Sequence, residues 1–220
     1  MSIGPKQAIY AEFAAVARAL GHAHRLELIE HLAQGERTVE TLAQRTGLSI
    51  ANASQHLQQL RRTGLVTSRR DGRYIIYRLS DEAVLTLFSA LRAVAERNVA
   101  EVDRIVHSYF ANRDDLEPVS RETLMDRLRD GQVTVLDVRP HDEFAMGHLP
   151  GALNVPLETL EQLLKELDPN QEIVAYCRGA YCVLAFEAVA ALRERGFNVR
   201  RLEDGFPEWR AAGLPLAVGA

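Results

Sequence analysis

The chain of 220 residues contains two cysteines, Cys177 and Cys182, five positions apart. Ile173-Val174-Ala175-Tyr176 is an apolar, β-rich run that ends at Cys177, and a helical pattern opens at Val183. A cysteine at the carboxyl end of a strand and directly before a helix stands where open α/β sheets bind ligands. The N–H groups of the intervening loop and the helix N-terminus favour an anion, and therefore a thiolate. Arg178 adds positive charge beside it. Thiolate is the reactive form of sulfur, which makes Cys177 a candidate nucleophile. A lone cysteine is commonly a small buried hydrophobe, so the placement carries this argument. Two readings of Cys182 stand side by side. It is a packed cysteine at the helix start, or it attacks a sulfur-loaded Cys177, giving a disulfide or a sulfur-bridged link and releasing sulfide.

A second set of residues suits a different chemistry. Ser49, Asn52, Ser54, Gln55, His56, Gln58 and Gln59 form the polar face of a helix predicted from Ile50 to about Thr63. Ala53, Leu57 and Leu60 form its apolar face. Hydroxyls and amides in that arrangement can address base edges and phosphates. From residue 43 to 78 there are seven arginines (Arg45, Arg61, Arg62, Arg69, Arg70, Arg73 and Arg78) against Asp71 alone. A local excess of that size is a polyanion footprint.

The elements that must position these groups follow from pattern. Residues 8–20 and 22–33 read as helices, the second stopped by Gly35. Thr38 caps a short helix to Arg45, Gly47 supplies a left-handed turn residue, and Ser49 caps the helix with the amide face. Residues 65–69 and 74–79 are β-rich runs around Asp71-Gly72, a hairpin signal. A long helix is predicted from about Ser80 to Phe110, capped by Ser80 or Asp81. This order is a winged helix-turn-helix: one helix for a major groove, with basic groups beside it for phosphates.

Beyond it the pattern changes. Residues 133–138, 173–176 and 199–202 read as buried strands of a parallel sheet, and 157–167 and 183–195 as helices. The fold class is thus two domains, a mainly-α winged helix-turn-helix and an α/β parallel sheet. The predicted boundaries are 1–110 for DNA binding and dimerisation, a polar linker at 111–118, and 119–220 for the sheet domain.

The 47% apolar content is enough to offset ordering entropy and excludes a disordered chain. No run reaches the roughly 18 apolar residues of a membrane span. The amino-terminal segment lacks the pattern of a signal peptide, and two cysteines are too few for a disulfide-built fold. A cytoplasmic protein with no membrane partner is expected. Charge divides the halves: residues 1–115 carry 15 basic and 13 acidic side chains, and residues 116–220 carry 11 and 17. That division confines the polyanion footprint to the first half.

Leu20-Gly21-His22, His24-Arg25-Leu26, Leu48-Ser49, Ser54-Gln55-His56-Leu57, Leu60-Arg61, Gly64-Leu65-Val66, Arg69-Arg70-Asp71-Gly72-Arg73 and Tyr77-Arg78-Leu79 resemble the ArsR-type dimeric repressors over residues 8–105. The resemblance implies a homodimer that binds double-stranded DNA at an inverted repeat. Ser49, Asn52, Ser54, Gln55, His56, Gln59, Arg61, Arg62, Arg69, Arg70 and Arg73 would face the DNA. Metal-sensing members carry thiolates where this chain has Thr38-Val39-Glu40-Thr41-Leu42. Asp103 and His107, at i and i+4, could form half of another metal site, although a solvated ion pair is the preferred reading. His22, His24 and His31 read as surface or packing residues. Neither a metal nor a cofactor is expected.

Residues 119–217 resemble the rhodanese (sulfurtransferase) domain. The matching residues are Leu136-Asp137-Val138-Arg139, Glu143-Phe144, Gly147-His148-Leu149-Pro150-Gly151-Ala152, Asn154, Pro156, Tyr176-Cys177-Arg178-Gly179, Gly205-Phe206 and Trp209. The resemblance implies that Cys177 accepts sulfane sulfur as a persulfide, held by the backbone of Arg178, Gly179, Ala180, Tyr181 and Cys182. Asp137 and Arg139 would be structural, and the donor a small sulfur species such as polysulfide or thiosulfate. Family loops place their glycine one position later than Gly179 and often end in a basic or hydroxyl residue where this chain has Cys182. Phosphatases and arsenate reductases of this fold close a longer loop with arginine, where this chain has Val183. Without that charge clamp, oxyanion chemistry is disfavoured. The expected function is a repressor that senses or processes reactive sulfur through Cys177. A sulfurtransferase that uses its helix-turn-helix only to dimerise, and a redox- or metalloid-responsive regulator using Cys177 and Cys182, are the alternatives.

Overall fold

The structure is a computed structural model that describes residues 4–106, 108, 118–164, 167–179 and 181–219. Residues 111–117 of the expected linker, His107 with its pairing to Asp103, and Ala180 lie outside the residues or side chains described. The chain forms two compact units, residues 1–88 and 89–220. Among the described residues no helix is long and apolar enough to cross a membrane.

The first unit opens with α1 (Pro5–Leu20) and α2 (Ala23–Ala33). Arg37–Thr38 forms β1, and Thr38 also caps α3 (Val39–Arg45) by accepting from Thr41 N. Gly47 takes the left-handed conformation, φ +65°, that lets the chain reverse before the next helix. Ser49 caps α4 (Ile50–Arg62) by accepting from Asn52 N. Ala53, Leu57 and Leu60 are fully buried against Leu28, Ile29 and Leu42. The 3.6-residue spacing of small and large apolar groups is what fixes this face inward. β2 (Val66–Asp71) and β3 (Tyr74–Leu79) pair antiparallel around a two-residue turn, Gly72-Arg73, where Gly72 has φ +57°. β1 adds to the other side of β3, so the wing is a three-stranded sheet.

The helix expected over 80–110 is divided. Asp81 Oδ1 accepts from Ala83 N at 2.8 Å, α5 runs over Ala83–Asn98, and α6 over Ala100–Val106. Asn98 turns its side-chain amide back to Val94 O at 2.8 Å, so the side chain competes with the backbone ladder at the break. Val84 and Leu85 are buried in the core of the first unit.

The second unit contains α7 (Arg121–Arg129), capped by Ser120, then β4 (Val133–Asp137), α8 (His141–Met146) and β5 (Leu153–Asn154). Of the segment expected as one helix over 157–167, Leu157–Thr159 forms a 3-10 turn and Leu160–Leu163 forms α9, and residues 165–166 lie outside the described ones. β6 (Glu172–Tyr176), α10 (Val183–Glu194), β7 (Val199–Arg201) and α11 (Phe206–Ala211) complete it. The strands form a parallel sheet in the order β5-β4-β6-β7. Ile173 and Ala175 pack with α10, while Val174 and Tyr176 pack with Leu124, Phe206 and Trp209. Apolar cover on both faces is why these strands read as unbroken hydrophobic runs.

Candidate functional site

In the first unit, α4 and the wing bring the polar and basic residues together. Ser49, Asn52, Gln55, Gln59, Arg61, Arg62, Arg69, Arg70 and Arg73 are exposed, and Ser54 and His56 are half-buried. Arg61 Nη1 donates to Ser68 Oγ at 3.2 Å, which ties the end of α4 to β2. Arg69 lies between Glu36 at 2.5 Å and Asp71 at 3.1 Å. Arg70 donates to Gly72 O, and Arg73 to the Tyr74 hydroxyl, whose ring its guanidinium also covers. Each of these wing arginines therefore has a local hydrogen-bond partner. The His56 ring lies 4.5 Å from His22 and 5.9 Å from His24, centroid to centroid. Burial, then the neighbouring His22, Arg25 and His24, hold the His56 imidazole below its ordinary pKa. Among the described residues no cluster of three or more His, Cys, Asp or Glu suits a metal ion.

In the second unit the loop leaves β6 at Cys177 and enters α10 at its N-cap, Cys182. The two cysteines form a disulfide with their Cα atoms 6.1 Å apart. Both are buried. Cys182 N donates to Gly179 O, closing a turn between them, and Phe206 N donates to Cys177 O at 3.0 Å. Beneath the loop, Gly205 approaches so closely that an added Cβ would stand 2.3 Å from Gly179 N. The Arg178 guanidinium is bidentate on Glu143, with Nε to Oε2 at 2.9 Å and Nη2 to Oε1 at 2.8 Å. Glu143 is itself fully buried, so this charge pair fixes the loop to α8.

The strand ends are anchored by a second buried pair. Arg139 donates through Nη2 to Asp137 Oδ2 at 2.6 Å and to Gly147 O at 2.7 Å. Burial opposes its charge, but Asp137 outweighs that and the guanidinium pKa is raised. The Tyr176 hydroxyl donates to Asp137 Oδ2 at 2.5 Å and accepts from Leu149 N. Burial first, then the Asp137 charge, push that phenol well above the ordinary tyrosine range. Asn154 bridges Asp137 O and Arg139 O. Asp137 and Arg139 thus hold neighbouring turns in place, and Tyr176, the residue before Cys177, is tied into the same network.

Three partners of this loop escape sequence reasoning. Glu143 and Gly205 stand out in the sequence only as matching positions, without a contact. Tyr181, considered for its backbone alone, hydrogen-bonds Glu96 of α5 through its side chain.

A rhodanese-like domain model matches residues 120–212, and a helix-turn-helix domain model matches residues 20–69. An HTH-type transcriptional regulator of Mycobacterium tuberculosis, Rv0324, is 44% identical over 215 residues, covering 98% of this chain and 94% of its own. A sulfurtransferase of Allochromatium vinosum is 31% identical over 102 residues, covering 46% of this chain and 94% of its own. The solution structure of the homodimeric winged helix-turn-helix DNA-binding domain of Mb0332 from Mycobacterium bovis is 38% identical, with a TM-score of 0.42. The match covers 45% of this chain and 92% of that one.

Proposed function

The chain belongs to the ArsR-type helix-turn-helix transcriptional regulators that carry a rhodanese-like domain, and from that premise we propose that it represses transcription and takes up sulfane sulfur on Cys177. The observation that carries the sulfur reading is the meeting of two sulfurs across the loop between β6 and α10. A Cys177 thiolate attacks the sulfane sulfur of a polysulfide or thiosulfate; the donor's S–S bond breaks and the shortened polysulfide or sulfite leaves. Cys177 then carries a persulfide beside the backbone of Arg178, Gly179, Tyr181 and Cys182. The Cys182 thiolate, its proton released to water, attacks Cys177 Sγ. The persulfide bond breaks, hydrosulfide departs, and the Cys177–Cys182 disulfide forms. Two thiols are oxidised and one sulfane sulfur is reduced, so atoms and electrons balance.

Mass spectrometry after polysulfide treatment tests this. Cys182→Ser is expected to gain the mass of one sulfur atom and keep it. The unaltered protein loses two hydrogens instead, and Cys177→Ser shows neither change. Sulfur retained on Cys177→Ser would assign the uptake elsewhere.

For DNA, α4 presents Ser49, Asn52, Ser54, Gln55, His56 and Gln59 to a major groove, and Arg61, Arg62, Arg69, Arg70 and Arg73 take the phosphates. The half-site is doubled by a homodimer. Ile9, Tyr10 and Phe13 of α1, and Leu87, Leu91 and Val94 of α5, are large apolar groups left exposed, which supports a second copy covering them. The partner is double-stranded DNA with an inverted repeat, in the cytoplasm. Replacing Arg69 and Arg73 together by alanine is expected to weaken operator binding. The slope of log affinity against log salt should flatten by about 0.9 for each phosphate that is no longer neutralised. Unchanged affinity and slope would favour the second reading, a sulfurtransferase whose helix-turn-helix only dimerises. The similarity of the second unit to a sulfurtransferase supports that alternative.

A further inference from the structure

Two chains of contacts run from the disulfide loop to one stretch of α5. The Tyr181 hydroxyl, one residue before Cys182, hydrogen-bonds the Glu96 carboxylate. Burial and Glu96 push that phenol up to about 12, so it remains a neutral donor at physiological pH. Arg92, one turn earlier on α5, pairs with Glu96 Oε1 at 3.3 Å and with Glu208 Oε1 at 2.9 Å. The other oxygen of Glu208 accepts from Gly205 N at 3.1 Å. Gly205 in turn supports the Arg178–Gly179 backbone from below. The two halves of the loop therefore end on Glu96 and Arg92, directly and through α11. All four side chains are half-buried, where hydrogen bonds to charged groups keep more of their strength than at the surface.

The same helix begins in the other unit. Val84 and Leu85 of α5 lie in the core that supports α4. A coupled switch needs a contact that differs between two states. The disulfide fixes the spacing of Cys177 and Cys182 and thereby the Tyr181 backbone between them; opening it removes that constraint.

We propose that helix α5 reads the chemical state of the Cys177–Cys182 loop through the Tyr181–Glu96 hydrogen bond. This rests on the reading of that loop as the sulfur site. The closed disulfide holds Tyr181 on Glu96 and orders the end of α5. Reduction by a dithiol, which supplies two electrons and two protons and itself becomes a disulfide, frees Tyr181 and loosens that segment. Glu96 is a positioning residue: it touches no reacting sulfur.

Hydrogen exchange of the full chain, oxidised and then reduced with dithiothreitol, tests this. Amides of residues 92–98 are expected to exchange about tenfold faster after reduction, the size of one charge-assisted hydrogen bond. In Glu96→Ala the difference between the two states disappears while sulfur uptake by Cys177 continues. Glu96→Gln, which retains an acceptor, restores part of it. Equal exchange in both states of the unaltered protein, or a difference that survives in Glu96→Ala, overturns the inference. Operator affinity measured in parallel separates this from the sulfur-responsive repressor. Affinity that responds to sulfur while α5 does not leaves the repressor intact and removes this route. If α5 responds while affinity does not, the route stands and sulfur-controlled repression falls.

Discussion

Arg139→Ala is expected to cost the second unit about 3–5 kcal/mol, enough to leave much of it unfolded at growth temperature. Arg139 has no solvent exposure, and neither has its partner Asp137. The guanidinium reaches both Asp137 oxygens and Gly147 O, and its carbon lies 4.1 Å from the centre of the Phe206 ring. Alanine removes all of this and leaves a buried carboxylate that still accepts from the Tyr176 hydroxyl but has no counter-charge beside it. An ion pair of this kind adds little beyond a well-packed apolar pair, yet breaking it strands one charge out of water. The penalty therefore comes from Asp137, and replacing both members by apolar residues of matched volume should recover most of it. Trp209 is the sole tryptophan of the chain and is buried in the same core, so its fluorescence reports unfolding of this unit. A denaturant midpoint within measurement error of the parent protein would refute the argument.

Gly205→Ala is expected to slow sulfur uptake at Cys177 by about a hundredfold while the unit stays folded. The backbone at Gly205 has φ −113°, which alanine adopts freely, so the effect comes from steric contact alone. The new Cβ would stand 2.3 Å from Gly179 N and 2.5 Å from Arg178 C and Gly179 Cα. All three are backbone atoms and cannot swing aside. Ordinary contact at about 3.5 Å requires the loop or the start of α11 to retreat by roughly 1 Å. A displacement of that size in a reacting loop costs on the order of a hundredfold in rate. The rate of mass gain in a Cys182→Ser background measures it, with Trp209 emission as the check on folding. An unchanged rate would mean that the loop geometry does not govern the chemistry.

What could be read from the sequence was local. Thr38 and Ser49 cap their helices because a side-chain oxygen meets an N–H only three residues away. The parallel strands were legible because apolar cover on both faces removes alternation at residues 133–137 and 172–176. What escaped was distant or faint. β1 is a two-residue strand defined wholly by pairing Arg37 with Tyr77 and Thr38 with Ile76. α7 carries Leu124 as its one fully buried side chain among five charged residues, so its stripe is weak. Arg178 was expected to lend its charge to Cys177, and the structure places that guanidinium on Glu143, 35 positions earlier. The choice between the two readings of Cys182 depended on how tightly four intervening residues turn, which spacing alone does not determine. The Tyr181–Glu96 bond joins residues that share no motif.

The three-stranded wing has two edge strands. One border of that sheet is β1, only two residues long, and the other is β2, which carries Arg69 and Arg70. A brief border offers too few unpaired amides to recruit a foreign strand, and one lined with charged side chains resists pairing with its own likeness. Molecules crowded along the same duplex can therefore lie near one another without zipping their sheets into aggregates.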